Sequence, residues 1–354
     1  MPDLSAIGRA VSPRRMSILY LLAIVFVIFS LWIPDLFLSS ITMQGVASSE
    51  AVVGILALGA LLPFAAGEFD ITVGANMALS VCIVAHLSAT HPGMDVVLIC
   101  LVAILATSVV GVANGLLIVK FGVNSFIATL ATSQVLVAIA LKMSDNQQVL
   151  AELPAGFVDF GRARTLGIPN ALFVTLAVAL LLWYVLQWTK LGRHLYACGL
   201  NREAARLSGV RTEGIVIGTF VASGFFAGLA GVVYVVQVGT FTNSIGAPLL
   251  FPAFAAVFLG ATQFNFRPNV WGTMIAIFTL ALGVQGLQLA LSTGGFWITP
   301  LFDGLALVAA VVFSKRQVAR TAKNEGGAGD TPNDVAAPLA PDIAKSRLAE
   351  PTRT

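Results

Sequence analysis

The sequence predicts an all-α fold, a polytopic transmembrane helical bundle of about ten spans with both termini in the cytoplasm. Hydrophobic residues make up 57% of the 354 positions and charged residues only 10%, and the mean hydropathy is +0.90. A water-soluble domain could not bury so much apolar surface. Several apolar runs reach the roughly 20 residues that a helix needs to cross a bilayer, and none alternates like an outer-membrane strand.

Ten apolar segments are interpreted as spans. The first follows three arginines, and it is too long for a signal peptide and lacks a small-residue cleavage site. The eighth is short and contains Pro252, while the second and third are separated only by "GEFD", so these three are either full spans or broken, re-entrant elements. The predicted spans are 17–37, 45–66, 71–90, 95–119, 124–141, 170–189, 214–236, 250–263, 270–291 and 297–313.

The basic residues of the loops predict the orientation. With the N-terminus in the cytoplasm, the opposite side receives only Lys142, Arg162 and Arg164, and every other Lys or Arg falls on the cytoplasmic side. The chain then divides into a cytoplasmic segment 1–16, a transmembrane domain 17–320 and a cytoplasmic tail 321–354. The tail is rich in Ala, Pro and Gly and is expected to be disordered.

Three smaller features are interpreted structurally. The outer loop 142–168 is expected to form a surface cap with a short helix. Cys82, Cys100 and Cys198 lack metal-ligand spacing and are expected to pack in the interior. The GxxxG pairs in "GVANG" (111–115) and "GFFAG" (224–228) predict close helix packing inside the bundle, with dimerisation as the alternative.

A charged stretch, "NREAARLSGVRTEG", occupies the loop between the sixth and seventh spans. Asn201 can cap a short helix from Arg202 to Ser208, and Gly209 suits the left-handed position that follows a helix. Such a helix is too short to be stable alone. The stripe formed by Leu200, Ala204 and Leu207 can therefore face the bundle or a groove on another protein. The alternative is a loop whose charge only fixes the topology.

The surrounding sequence resembles the ribose, xylose and galactoside permease subunits of bacterial ATP-binding-cassette (ABC) importers. "TKLGRHLYACGLNREAARLSGV" resembles the family's segment Gly-x-Asn-x-x-Ala-Ala-x-x-x-Gly, and "GEFDITVGANMALS" resembles its motif Gly-Gly-Ile-Asp-Leu-Ser-Val-Gly through Gly67, Asp70 and Gly74. "VNSFIATLAT" (123–132) and "PAFAAVFLGAT" (252–262) resemble two further elements in the same order. The resemblance covers about residues 45–315.

The resemblance implies a coupling helix that docks on a cytoplasmic ABC ATPase subunit. Two departures put the solute rather than the transport role in question: Glu68 replaces the second glycine of the Gly-Gly pair, and "QFNFRPNVWGT" replaces a Gly-rich loop. The coupling set is Asn201, Arg202, Glu203, Ala204, Ala205, Arg206 and Gly209.

The chain itself offers no catalytic chemistry. It contains no Walker A sequence and no Gly-Lys dipeptide, so ATP is expected on a partner subunit and no cofactor or metal on this chain. The three histidines show no metal spacing, and no nucleophile constellation is present. An ion-coupled secondary transporter is the alternative from another class, although Glu50, Glu68, Asp70 and Asp303 fall near span ends rather than at the midplane.

A neutral sugar needs hydrogen-bonding groups along its path. The amides inside predicted spans are the candidates, and each is equally open to a packing role between helices. Gln285 and Gln288 share a helical face and are the preferred pair. The full candidate set is Asn76, Asn114, Gln134, Gln285 and Gln288.

The resulting hypothesis is a permease of the bacterial inner membrane that imports a monosaccharide-like solute. The resemblance implies a cytoplasmic ATPase, an extracytoplasmic solute-binding protein, and a second permease copy as a homodimer or pseudo-symmetric pair. The chain contacts membrane lipid, and no nucleic-acid partner is expected. A membrane docking protein without transport activity is the third hypothesis. The sequence leaves the identity of the solute open.

Overall fold

The computed structural model describes residues 17–262, 267–291, 295–309 and 312, which fold almost entirely into helices. The predicted segment 1–16 and tail 321–354 lie outside this range. The first eight elements are α1 Ser17–Trp32, α2 Pro34–Phe37, α3 Ser40–Ala65, α4 Val73–Thr90, α5 Val96–Phe121, α6 Ser125–Met143, β1 Val149–Leu150 and α7 Ala155–Arg162. They are followed by β2 Arg164–Thr165, β3 Ile168–Pro169, α8 Asn170–Trp188, α9 Lys190–Leu200, α10 Arg202–Leu207, α11 Thr212–Val238, β4 Thr240–Phe241, α12 Ala247–Ala261, α13 Val270–Leu291 and α14 Ile298–Ala309.

Seven described helices are long and apolar enough to cross a membrane: α3, α4, α5, α6, α8, α11 and α13. The shorter apolar helices α1, α12 and α14 occupy the other three predicted spans. The prediction of an all-α polytopic membrane protein is therefore confirmed. Ten crossings and the direction of insertion remain predictions.

The structure corrects the prediction at the first span and shows that the eighth is not a broken helix, while its crossing of the membrane stays a prediction. The predicted span 17–37 is two helices, because Ile33 leaves the helical conformation at φ −137° and Pro34 starts α2. A proline favours the first turn of a helix and cannot continue the preceding one without losing a hydrogen bond. In the eighth span, α12 runs through Pro252 without a break.

The centre of the bundle is built on α3 and α11. Every residue of α3 from Ala51 to Pro63 is buried, as expected for a helix that is hydrophobic on all sides. α11 packs most extensively against α5, and next against α3 and α4. The three cysteines are buried free thiols, as predicted.

Both GxxxG pairs lie in the contact between α5 and α11, which confirms their packing role. A Cβ added at Gly111 would lie 2.8 Å from Cα of Val221, and one at Gly228 would lie 3.0 Å from Cα of Ile104. Small residues at these positions let the two helix backbones approach closely.

Contacts join the predicted loops into two groups. At one end β1 pairs antiparallel with β4, and the predicted loop helix is present as α7. At the other end the Tyr196 hydroxyl donates to the Pro268 carbonyl over 2.7 Å, next to α10. We call these the β1–β4 end and the α10 end. The α10 end carries loops that the charge count assigns to the cytoplasm.

Candidate coupling and translocation sites

The charged loop at the α10 end forms the predicted capped helix, which ends at Leu207. The Asn201 side chain accepts from the Ala204 N–H over 2.9 Å and caps the first turn. Gly209 has φ +84°, and the N–H groups of Gly209 and Val210 donate to the carbonyls of Arg206 and Ala205. This pair of bonds is a Schellman motif, so both helix ends are fixed by local sequence.

The outward face of α10 differs in one residue from expectation. Leu200 and Leu207 are 72% and 79% exposed, and Ala204 is exposed beside them, so the predicted stripe faces away from the bundle. Ala205 is only 6% exposed, because its methyl group packs against the rest of the chain. Ala205, although part of the predicted coupling set, therefore faces the bundle, and Ala204 is the small residue that α10 exposes. Arg206 and Glu203 pair at 2.6 Å on the exposed surface.

An ion pair connects α10 to the segment between α3 and α4. Arg202 Nη1 lies 2.9 Å from Oε1 of Glu68, whose side chain is 15% exposed. Beside this pair the backbones touch: a Cβ at Gly199 would lie 3.1 Å from the carbonyl carbon of Ala65. The partners are 134 positions apart, so sequence patterns could not pair them. The one sequence feature that could have indicated this contact is Glu68 itself, which stands where the family motif has its second glycine.

Residues 67–72, which we call the motif segment, are held from α6 as well. Gly67 turns the chain with φ +84° at the end of α3. The backbone N–H of Phe69 donates to Ser125 Oγ over 3.2 Å, and that of Ile71 donates to Thr129 Oγ1 over 3.1 Å. These two bonds satisfy non-helical backbone N–H groups that would otherwise be unpaired inside the bundle.

Asp70 anchors the motif segment in the interior. It is 1% exposed and accepts from Thr72 N–H over 3.0 Å, from the Thr72 hydroxyl, and from Ser223 Oγ over 2.6 Å. Asn114 Nδ2 then donates to Thr72 Oγ1 over 3.2 Å. The network therefore ties the motif segment to α5 and α11. Gly74 follows it, where a Cβ would lie 3.0 Å from the carbonyl carbon of Gly246.

A groove of about 240 Å³ runs along α6, and we call it the α6 groove. Ile71 of the motif segment and Gly74 form one wall, and Ser133 and Gln134 form the other. Asn243, from the loop after β4, closes one side. Gln134 is exposed among large apolar side chains of α6 that are also exposed, including Leu130 and Val135.

A second cavity, of about 370 Å³, holds the preferred amide pair Gln285 and Gln288. Glu50 of α3 and Asp303 of α14 also line it, and we call it the carboxylate cavity. Asp303 is 5% exposed and makes no hydrogen bond or ion pair with the described residues. Gln288 Nε2 donates to Thr299 Oγ1 over 2.9 Å, so part of its hydrogen-bonding capacity is used by a neighbouring helix.

The other two predicted amides lie in neither cavity. Asn76 and Asn114 are fully buried. Both side-chain atoms of Asn76 and Oδ1 of Asn114 lack a hydrogen-bond partner among the described residues. The predicted path residues thus occupy three separate places and do not form one continuous lining.

Comparison with known proteins identifies the family. The family model described as "Branched-chain amino acid transport system / permease component" matches residues 42–311. The D-allose transport system permease protein AlsC of Escherichia coli is 31% identical, over 75% of this chain and 78% of its own length. The ribose import permease protein RbsC of Bacillus subtilis is 30% identical, over 84% and 92%.

The autoinducer 2 import system permease protein LsrC of Salmonella paratyphi B is 30% identical, over 79% of this chain and 80% of its own length. No solved structure matches the chain. The resemblance noted in the sequence is confirmed by these relatives. The family model covers most of the chain, including α10, the motif segment and both cavities. The chain therefore belongs to the family of transport-system permease components that this model describes.

Proposed function

We propose that this protein is the membrane-spanning permease subunit of an ABC importer that carries a monosaccharide-like solute across the bacterial inner membrane. The relatives named for ribose, D-allose and autoinducer 2 import support this solute class, although the family description names branched-chain amino acids. Energy comes from ATP bound by a separate ATPase subunit. A solute-binding protein delivers the solute at the β1–β4 end.

The observation that carries the proposal is the outward face of α10. A six-residue helix has little stability of its own, yet this one is capped at both ends and presents Ala204 and Leu207 away from the bundle, beside Leu200 at the end of α9. An exposed apolar stripe with a charged rim fits a groove on another protein. In this proposal the ATPase subunit supplies that groove.

Motion of α10 reaches the solute route through the motif segment. Arg202 holds Glu68, and three residues further on Ile71 lines the α6 groove. Because Phe69 and Ile71 also bond to α6, a displacement of α10 moves both walls of the groove. We therefore place the route in the α6 groove.

A second permease copy completes this route. An amide on a membrane-facing helix is costly in contact with lipid. Gln134 is exposed on α6, so it requires either a protein partner or a hydrated path, and a groove between paired permeases provides both. The pair is a homodimer or two similar subunits.

Ion-coupled transport is the second candidate, and the carboxylate cavity is the observation in its favour. Glu50 and Asp303 share one cavity inside the bundle, where carboxylates can bind a coupling cation or proton. Reconstitution separates the two mechanisms. Flux in proteoliposomes that requires ATP and the ATPase subunit, and persists without an ion gradient, supports the importer. Flux driven by a gradient alone supports the second candidate, and no flux under either condition supports a docking protein.

Substitutions on α10 test the docking face. Ala204→Arg places a bulky charge on the outward face and is expected to abolish ATPase co-purification and flux while leaving insertion unchanged. Gly209→Ala serves as a geometric comparison: it strains the left-handed residue, re-aims the helix end, and should lower flux with partial retention of the ATPase. Wild-type ATPase binding by Ala204→Arg would remove α10 from the interface.

A further inference from the structure

A pocket at the α10 end combines cationic and aromatic side chains where spans meet the loops. It has a volume of about 550 Å³ and lies between the last turns of α8, the helix α9 and the start of α13. Arg193 and Arg267 line it, together with Trp183 and Trp271. We call it the basic pocket. It shares no residue with the α6 groove or the carboxylate cavity.

The two arginines of the basic pocket lack a counter-charge. Both are exposed, and neither guanidinium makes an ion pair or hydrogen bond within the described part of the chain. No Asp or Glu lines the pocket. The first residues of α13, Val270 and Trp271, line the pocket, so the positive end of that helix dipole lies there, and Asn269 caps the helix by accepting from Gly272 N–H over 2.6 Å. The pocket is therefore suited to an anion.

An apolar groove continues from the basic pocket along the membrane-facing side. It lies between α1, α8 and α13, and Trp271 lines both the groove and the pocket. Its lining is entirely hydrophobic and includes Leu22, Leu176 and Phe278. Running from Trp271 to Leu282 on α13, it extends about 16 Å at 1.5 Å per residue. We call it the acyl groove, because its length and lining suit a hydrocarbon chain.

Tryptophans mark the junction of the two cavities. The ring centroids of Trp183 and Trp271 are 6.4 Å apart, and Trp188, 66% exposed, lies 6.3 Å from Trp183. Tryptophan favours the boundary between headgroups and hydrocarbon. The junction thus lies at the depth of the lipid headgroups, with the arginines on the loop side and the hydrophobic lining on the membrane side.

We propose that the basic pocket and the acyl groove together form a binding site for an anionic phospholipid. The phosphate lies between Arg193 and Arg267, and one acyl chain lies between α1, α8 and α13. Arginine guanidinium groups bind phosphate through paired, charge-assisted hydrogen bonds. A soluble anion would use only the pocket, and a docking protein would have no use for the acyl groove, so a lipid accounts for both features.

The test is thermal unfolding of the purified full-length chain in uncharged detergent, titrated with lipid. Phosphatidylglycerol and cardiolipin are expected to raise the unfolding temperature at lower concentrations than phosphatidylcholine. The double variant Arg193→Gln/Arg267→Gln should lose this preference, with the apparent affinity for the anionic lipids falling at least about tenfold. Lys120→Gln/Arg164→Gln, which removes two exposed cations elsewhere, should retain it.

Further arms separate the sources of anion. Inorganic phosphate should not reproduce the stabilisation, since it cannot fill the acyl groove. Ala23→Trp narrows that groove without touching the arginines, and should weaken lipid binding even if the arginine variant fails to fold. Equal responses to anionic and zwitterionic lipid, full stabilisation by phosphate alone, or loss of ATPase co-purification by the arginine variant with unchanged lipid preference would each overturn the proposal.

Discussion

The α6 groove and the carboxylate cavity differ in their connection to α10. The carboxylate cavity is the more polar of the two, with Glu50, Asp303, Gln285 and Gln288 in its lining, but none of its residues belongs to the motif segment. The α6 groove has few polar groups, yet Ile71 places the motif segment in its wall. The ion pair between Glu68 and Arg202 connects the motif segment, and so this wall, to α10.

This difference shows why polar content alone does not locate a transport route. A neutral solute that must leave its binding site as readily as it enters needs only a few hydrogen bonds there. A route that opens on ATP hydrolysis also needs a physical link to the ATPase. The α6 groove has that link through Glu68 and Arg202, whereas no residue of the motif segment lines the carboxylate cavity.

The largest expected effect comes from Gly199, where α9 meets the end of α3. In Gly199→Leu the new side chain would meet the backbone of Ala65 and Ala66, whose carbonyl carbons lie 3.1 Å and 3.3 Å from the added Cβ. Because backbone cannot move aside, α9 and α10 must shift, and ATP-driven flux should be nearly abolished. Gly218→Leu is the matched control, since nothing lies within 4 Å of its Cβ, and it should transport normally. Normal flux in Gly199→Leu would mean that this contact plays no part in coupling.

The Glu68–Arg202 pair should give the next largest effect. Glu68→Lys places two cations together, and flux is expected to fall about tenfold because like charges at such a contact cost more than the modest gain of the original pair. ATP hydrolysis should continue, so the ratio of solute moved to ATP hydrolysed is the quantity to measure.

A charge exchange distinguishes coupling from simple damage. The double variant Glu68→Lys/Arg202→Glu restores opposite charges and should recover much of the lost flux per ATP. The recovery should weaken at high salt, since Arg202 is 40% exposed. If the double variant is as defective as the single one, the pair does not transmit motion.

The two linings can be compared through their amides. Gln134→Leu should reduce flux severalfold, because it removes the exposed amide of the α6 groove, whereas Gln134→Asn keeps an amide and should reduce it less. Gln285→Leu/Gln288→Leu should have the smaller effect, since no residue of the motif segment lines that cavity. The measurement is initial flux at saturating ATP. A greater loss in the double variant than in Gln134→Leu would move the route to the carboxylate cavity.

Local sequence was sufficient to predict much of this architecture. Apolar length located the helices, and the cap at Asn201 and the glycine at 209 predicted α10 because both act within a few residues. The GxxxG pairs correctly indicated close packing, although not which helices meet. The division of the first span at Pro34 was also accessible, since the effect of proline on a helix is local.

The features that could not be predicted from the sequence are those that depend on contacts between distant parts of the chain. The pairing of Glu68 with Arg202 depends on how α9 crosses the end of α3, which no periodicity encodes. The inward direction of Ala205 likewise follows from where the bundle lies, because the sequence left the stripe of Leu200, Ala204 and Leu207 free to face either the bundle or a partner. Helical spacing singled out Gln285 and Gln288 among the five amides, but only the folded structure separates the five into core, groove and cavity.

Thiol labelling of single cysteines at the two ends of the bundle determines which end faces the cytoplasm, where the ATPase is expected. Arg164→Cys lies at the β1–β4 end and Lys120→Cys at the other end of the bundle, and both positions are exposed and outside α10. An impermeant thiol reagent applied to intact cells should label position 164 and leave position 120 unlabelled until the membrane is opened. Background should be low, because the three native cysteines are buried, and both variants should transport at the wild-type rate. Since thirteen of the sixteen basic residues before the tail lie on the predicted cytoplasmic side, the reverse labelling pattern would contradict the charge rule itself as well as the docking of α10 on an ATPase.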